Sequence, residues 1–171
     1  MPIITATIED IPQLVALINS AYRGEESKKG WTTEADIIQG SLRIDQPALT
    51  DLINVQGARF LKFVNEQNRI DGCVYLHKNG EDMYLGMLSV SPTLQANGIG
   101  KLLMNEAEIH AKKMDCVRIF MRVISSRDEL IQWYERQGYY KTEKREQFPT
   151  DTRFGTPLQP VEFLIMEKRI N

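Results

Sequence analysis

Two glycines stand close together in residues 95–101, where a predicted strand leads directly into a predicted helix. Gly98 and Gly100 carry no side chain, so an anion can approach the backbone there closely. The amides of a first helical turn are unpaired, and the helix dipole adds partial positive charge to them. Gln95 can donate a hydrogen bond from its side chain, and Lys101 adds a cation in the first turn. The segment is therefore predicted to bind an anion.

The spacing of these residues excludes two well-known nucleotide-binding loops. A Walker-type phosphate loop needs serine or threonine directly after its lysine, but Leu102 follows Lys101. A dinucleotide-binding fingerprint needs a third small residue where Leu103 stands, and it belongs on a parallel sheet. An antiparallel hairpin is predicted before this loop instead. The alternatives left are an anion site of another kind and a glycine-rich turn that only starts a helix.

Hydrophobic periodicity predicts the elements that must position this loop. Apolar runs predict strands over residues 3–8, 58–65, 70–77, 83–90, 117–124, from 139 onward and 161–168. Apolar residues at helical spacing predict helices over residues 10–23 and 99–114, capping residues predict helices over 32–42 and 126–138, and a short helical turn is predicted within 47–55. The candidate N-terminal caps are Asp10, Thr32 or Thr33, and Ser126 with Glu129. Asn79 and Gly80 are typical of a tight primed turn between two strands.

The order of these elements predicts the fold class. An antiparallel meander is followed by a right-handed strand–helix–strand crossover, a second helix and two closing strands. This order predicts a mixed α/β fold, with a largely antiparallel sheet flanked by helices. The length of 171 residues fits a single domain over residues 1–171.

The glycine loop and its surroundings resemble the GNAT superfamily of N-acetyltransferases. The acetyl-CoA signature of that family is Gln/Arg-x-x-Gly-x-Gly/Ala, which Gln95, Gly98 and Gly100 match. A second family signature, aromatic-Tyr-Glu-x-x-Gly-Phe/Tyr, is similar to residues 133–139. The resemblance covers residues 1–141 well and the remainder in outline. It implies a GNAT-like acyl-CoA N-acyltransferase fold with a splayed sheet, and acetyl-CoA as co-substrate without a metal.

The resemblance also implies which residues bind the coenzyme. In the family, pantetheine lies in a gap beside the strand that precedes the glycine loop. Main-chain contacts to pantetheine and the acetyl carbonyl are therefore expected from Leu88, Ser89 and Val90, with an amide near Val90 as oxyanion donor. The residues expected to bind the pyrophosphate are Gln95, Ala96, Asn97, Gly98, Ile99, Gly100 and Lys101.

Tyr134 matches the family tyrosine that returns a proton to the departing thiolate. A phenol suits this catalytic role because its unperturbed pKa, about 10, is not far from that of an alkyl thiol. The alternative is that Tyr134 only packs between helix and sheet, since Leu130 lies one turn earlier on the same helix face.

The sequence offers no general base at the expected positions. Some family members carry glutamate where this chain has Tyr84, and others where it has Arg122. Either water relays the proton to a remote carboxylate, such as Asp82 or Glu81, or the amine arrives already neutral. Many members also carry asparagine before the second helix, where this chain has Arg127.

Arg122 and Tyr22 are the candidate substrate residues. Arg122 lies on one face of its strand and can pair with a carboxylate on the substrate, or it is a surface arginine. The substrate wall is expected from residues 22–31 and 147–160.

The predicted function is direct transfer of the acetyl group of acetyl-CoA to a primary amine of a small molecule or peptide end. This amine also carries a carboxylate if Arg122 binds one. The alternative is a non-catalytic acyl-CoA-binding or sensing module.

Composition argues against several other classes. A net charge of −2, from 21 basic and 23 acidic residues, does not suggest a nucleic-acid partner. No apolar run approaches the ~18 residues of a membrane span, and no charged leader is present, so a cytoplasmic protein is expected.

Cys73 and Cys116 lie in apolar runs and are expected to be buried thiols. His77 and His110 are expected to have structural roles. Monomer and homodimer are both open.

Overall fold

The computed structural model describes residues 3–171. Residues 1 and 2, which the predicted domain includes, lie outside the described residues. The strands are β1 (Ile3–Thr5), β2 (Ile38–Gln39), β3 (Ala58–Val64), β4 (Ile70–Asn79), β5 (Asp82–Val90), β6 (Arg118–Ile124), β7 (Tyr140–Gln147), β8 (Thr156–Pro157) and β9 (Glu162–Arg169). The helices are α1 (Ile11–Tyr22), α2 (Gly24–Ser27), α3 (Gln46–Ile53), α4 (Ile99–Lys113) and α5 (Asp128–Arg136).

Seven strands form one sheet in the order β1-β3-β4-β5-β6-β9-β7. Only β5 and β6 pair in parallel, because α4 connects them; the other neighbours in this sheet pair antiparallel. The short strands β2 and β8 form a separate antiparallel pair. The predicted mixed α/β fold with a largely antiparallel sheet is confirmed.

Helices cover both faces of the sheet. Alternate residues of β4 belong to different apolar clusters, as the period of a strand requires: Val74 packs with α4 and α5, and Tyr75 packs with α1 and α3. Leu103 and Ala107 of α4 are fully buried on the first side, and Leu14 of α1 is fully buried on the second. The apolar stripes of the predicted helices therefore face the sheet.

The sheet splays between β5 and β6. The two strands pair only where Asp82–Tyr84 meets Arg118–Phe120, and their registered pairing ends there. On the other side of β5, the register with β4 shifts at Met87, whose φ of 51° lies in the left-handed region. This bulge redirects the end of β5. The splayed sheet that the family resemblance implies is thus present, and its gap opens toward the glycine loop.

The predicted helix over residues 32–42 is wrong. Residues 34–38 form a single turn, in which the amides of Ile37 and Ile38 both donate to the carbonyl of Glu34 at 2.9 Å. The chain then extends as β2, because pairing with β8 satisfies its backbone. The charged segment before it contains the short helix α2. Tertiary pairing overrides local helix propensity here.

Two predicted helix caps also differ, whereas the predicted tight turn between β4 and β5 forms. Helix α5 begins after Arg127, with no side-chain cap, so the predicted box of Ser126 and Glu129 does not form. The Asp10 carboxylate accepts from the amide of Thr7 at 2.8 Å instead of capping α1. In the β4–β5 turn Asn79 pairs with Asp82, so the central residues are Gly80, with φ of 64°, and Glu81.

Candidate active site

A cavity of about 420 Å³ lies between the end of β5, the glycine loop and α5. Its volume is in the range of small-molecule and cofactor sites. The segment after α2 closes one side through Trp31 and Thr32, and α5 supplies Trp133 and Tyr134 to the other. Sequence reasoning missed Arg136, a further cation on the rim.

The glycine loop supplies the N-terminal end of α4 to this cavity. The helix starts at Ile99 without a side-chain cap, so its first-turn amides are left for a ligand or solvent. Gly98 has φ of 88°, which a side chain disfavours, although space around it is open. Gly100 is less restricted, because a Cβ there would make only an ordinary contact with the Trp133 ring, at 3.4 Å. These features fit a cradle for an anion such as a pyrophosphate.

The Gln95 side chain differs from its predicted role. Its Oε1 accepts hydrogen bonds from the amides of Trp31 at 2.8 Å and Thr32 at 3.3 Å. Its Nε2 donates to Thr32 Oγ1 at 2.7 Å and to the carbonyl of Val90 at 3.1 Å. Because an amide nitrogen has only two hydrogens, no donor is left for a phosphate. The side chain instead fastens the segment after α2 to the end of β5.

The structure brings most of the predicted coenzyme residues together. Those that line the large cavity are Leu88, Val90, Gln95, Ala96, Gly98, Ile99, Gly100 and Lys101. Ser89 is buried, and its hydroxyl donates to the carbonyl of Met87 at 2.9 Å. Asn97 is exposed, and its amide donates to the carbonyl of Leu94 at 3.1 Å. Neither of these last two side chains lines the cavity.

Tyr134 lies on α5 at the junction of two cavities. It lines the large one and also a smaller one of about 50 Å³ that lies between β5 and β6. Burial, reinforced by the nearby Tyr22 phenol, raises the pKa of Tyr134 well above its usual 10. The phenol therefore stays protonated at neutral pH, as a proton donor requires. The near match to a thiol pKa, expected for an unperturbed phenol, does not hold in this buried setting.

Tyr22 also lines both cavities, and its hydroxyl donates to the carbonyl of Leu88. This bond joins α1 to β5 beside the bulge. Burial raises the pKa of the Tyr22 phenol, so this hydroxyl also keeps its proton. The tyrosine thus holds the strand end in position where the sheet opens.

Arg122 lines the small cavity, but its guanidinium is already paired. Its Nε lies 3.0 Å from Glu146 Oε2, and the group stacks 4.9 Å from the Tyr84 ring. A substrate carboxylate would compete with Glu146 for this arginine. The predicted substrate role of Arg122 therefore has no support from its surroundings.

The remote carboxylates lie away from both cavities. Asp82 Oδ1 accepts from Arg118 Nε at 3.0 Å at the closed end of the splayed strands. Glu81 is exposed at the β4–β5 turn. A water relay to these groups has no geometric support, which leaves an amine that arrives neutral.

Sequence reasoning missed Glu34 and Arg43, which line the small cavity. Glu34 Oε1 lies 3.1 Å from Arg23 Nε, and Oε2 lies 4.0 Å from Arg127 Nη1. The backbone of Arg43 is held by Asn19, whose Oδ1 accepts from its amide at 2.6 Å. No motif marks these residues, because the cluster forms only when α1, the segment before α3 and the start of α5 meet.

Other predicted features lie outside the site. His77 and His110 line neither cavity, and burial lowers the pKa of His110. Cys73 and Cys116 are buried and free, and burial raises the pKa of the Cys73 thiol to about 12. Within residues 3–171 there is no cluster of three potential metal-ligating side chains. No helix in that range is long and apolar enough to cross a membrane.

Solved structures similar to this chain share its fold. The ribosomal-protein-S18-alanine N-acetyltransferase of Escherichia coli superposes with a TM-score of 0.74 at 13% identity, covering 99% of this chain and 93% of that one. The protein smu.2055 of Streptococcus mutans UA159 gives 0.74 at 19% identity, with both chains fully covered. The ribosomal-protein-alanine N-acetyltransferase of Brucella melitensis gives 0.73 at 17% identity, with 99% of each chain covered. At these identities the likeness is one of fold.

Sequence comparison identifies the family. The uncharacterized protein YdhI of Bacillus subtilis (strain 168) is 30% identical over 76 residues, which span 44% of this chain and about half, 46%, of that relative. The model of the acetyltransferase (GNAT) family matches residues 12–139, which include the glycine loop, the splayed strands and α5. The chain therefore belongs to the GNAT family of acetyl-CoA-dependent N-acetyltransferases.

Proposed function

We propose that the protein transfers the acetyl group of acetyl-CoA to a primary amine of a small molecule or peptide end, across the gap between β5 and β6. One observation carries this proposal: the two cavities meet at Leu88 and Tyr134, where the strands separate. A donor in the large cavity and an acceptor in the small one would reach the same point from opposite sides.

The large cavity is proposed to bind the coenzyme. The first-turn amides of α4, with the nearby charges of Lys101 and Arg136, would hold the pyrophosphate. The main chain of Leu88 and Val90, at the end of β5 that no longer pairs with β6, would contact pantetheine and the acetyl carbonyl. Gln95 supports this site by holding the segment around Trp31 against the strand.

The chemistry follows from this placement. The nitrogen of a neutral amine attacks the thioester carbonyl, so that a C–N bond forms and the C–S bond breaks. The Tyr134 hydroxyl gives its proton to the leaving sulfur and recovers one from the new amide nitrogen through water. The products are the acetylated amine and the free thiol. Because no unpaired carboxylate lies at the gap, the amine loses its ammonium proton to solvent before it binds.

Residues 1–171 are proposed to act as one domain, which is supported by a single sheet that joins β1 to β9. A cytoplasmic location, and a monomeric or homodimeric state, belong to the same proposal.

The test measures free thiol release from acetyl-CoA with a panel of primary amines. Tyr134→Phe should lower kcat by about 10²–10⁴-fold, the usual contribution of a positioned acid, with little change in acetyl-CoA affinity. Tyr140→Phe is the matched control, since Tyr140 is an exposed phenol on β7. Acetyl-CoA binding without amine-dependent thiol release across the panel would favour the alternative of a binding or sensing module.

A further inference from the structure

A cluster of three arginines surrounds one buried carboxylate on the acceptor side of the gap. The Glu34 side chain, 9% exposed, lies between Arg23 at 3.1 Å and Arg127 at 4.0 Å. The Arg43 guanidinium lies near the same carboxylate and stacks 4.0 Å from the Tyr22 ring. The cluster therefore contains three positive charges and one negative charge.

Two buried donors in this cluster lack a hydrogen-bond partner among the described residues. The Nη1 atoms of Arg43 and Arg127 are buried and make no hydrogen bond. The Arg127 side chain is only 9% exposed, so water does not replace a partner readily. An unpaired buried cationic donor costs stability, and native structures rarely keep one without a use. Both arginines line the small cavity.

The backbone that carries Arg43 is held in position. Asn19 Oδ1 accepts from the amides of Arg43 at 2.6 Å and Ile44 at 3.1 Å, which fixes the backbone beneath the guanidinium. Burial is the largest single effect and opposes the charge on Arg43, but the Glu34 carboxylate and the Tyr22 and Tyr84 phenols together outweigh it, so the pKa of Arg43 is raised. Glu34 thus keeps the arginines together without cancelling their charge.

We infer that Arg43 and Arg127 form a subsite for a carboxylate on the acceptor, so that the substrate is a small primary amine of the amino-acid class. This inference rests on the proposed acetyl transfer. The planar forks of two guanidinium groups suit a carboxylate, which accepts paired hydrogen bonds. The cavity of about 50 Å³ has room for a group of that size, whereas the neighbouring Arg122 is already paired with Glu146.

The test compares matched amines, each an amino acid and its carboxamide, in the thiol-release assay. The carboxamide keeps the shape of the amino acid and removes the negative charge of its carboxylate. The wild-type protein should show kcat/KM about 10–100-fold higher for the acid, the ratio that charge-assisted hydrogen bonds supply. Arg43→Gln and Arg127→Gln should bring this ratio close to one, mainly through KM for the amine, while KM for acetyl-CoA stays unchanged. Arg59→Gln, an exposed arginine on β3, is the control and should keep the wild-type ratio.

The outcomes separate the two proposals. Equal kcat/KM for acids and amides in the wild type would overturn the subsite while leaving acetyl transfer intact. Thiol release that no amine in the panel accelerates would refute the transfer itself, and with it the substrate class. A preference for amines that carry phosphate over those that carry carboxylate would overturn the assignment of the anion.

A second measurement does not depend on the folding of the variants. Propionate, added to the wild-type protein with acetyl-CoA, should raise its Tm, whereas propionamide at the same concentration should not. Equal shifts for the two compounds would overturn the inference. Arg127→Lys, which keeps the charge but not the planar fork, should recover part of the acid-to-amide ratio lost in Arg127→Gln.

Discussion

Replacing Gln95 with alanine removes four hydrogen bonds that hold the segment around Trp31 and Thr32 against the end of β5. Each bond contributes about 0.5–1.5 kcal/mol net, and the groups left behind are partly hydrated, so the expected loss is about 2–4 kcal/mol in the free energy of unfolding. For a chain of this size, that loss corresponds to a fall in Tm of about 5–15 °C.

Gly30 provides an independent way to break the same contacts. A Cβ at Gly30 would overlap Gln95 Oε1, so Gly30→Ala should displace the side chain and lose its bonds. Since both changes remove the same interactions, the double variant should be about as stable as Gln95→Ala alone. If the stability losses of the two single variants instead add up in the double variant, Gly30→Ala acts on something other than Gln95.

The assay is urea unfolding of both single variants and the double variant, with acetyl-CoA affinity measured by calorimetry. Gln67→Ala, which changes an exposed glutamine on the β3–β4 connection, is the control and should keep wild-type stability. The reasoning is refuted if Gln95→Ala retains full stability and loses acetyl-CoA affinity, because that pattern belongs to a phosphate ligand and not to a fastening between segments.

Three further predictions concern the same site. The raised pKa of Tyr134 means that its phenol keeps its proton as the pH rises. We therefore expect no decline of kcat from this group below about pH 10. A decline near pH 8 in the wild type that is absent in Tyr134→Phe would contradict this. Gly98→Ala should lower the free energy of unfolding by about 1–2 kcal/mol, because φ of 88° is strained for alanine. Gly100→Ala should instead leave stability and KM for acetyl-CoA close to the wild-type values, because its Cβ would only touch the Trp133 ring at 3.4 Å; thermal melts and initial rates measure both variants.

Local signals in the sequence were enough to predict the donor side. The strand that ends before Pro92, the glycines at 98 and 100 and the apolar stripe of α4 are neighbours along the chain, so their periodicity and spacing report the structure directly. The family resemblance added the splay between β5 and β6, which no periodicity reveals.

The acceptor side could not be predicted in this way. Glu34 and Arg127 are far apart in sequence and meet only in the folded chain, where they are 4.0 Å apart. The Gln95 side chain bonds to Trp31 and Thr32, which lie more than 60 positions away in the sequence. The sequence therefore could not show that its hydrogen-bond donors are already used. The segment 32–42 begins with candidate helix caps, but its pairing with β8 depends on a distant loop. Long-range contacts decided each of these outcomes.

Tyr134 is shared between the two cavities, and this has a thermodynamic consequence. Any ligand that contacts its hydroxyl from one cavity changes the surroundings that a ligand in the other cavity meets. The two binding equilibria are then linked, and by reciprocity each ligand changes the affinity of the other by the same factor. One buried phenol therefore couples the occupancy of the two cavities without any movement of the backbone.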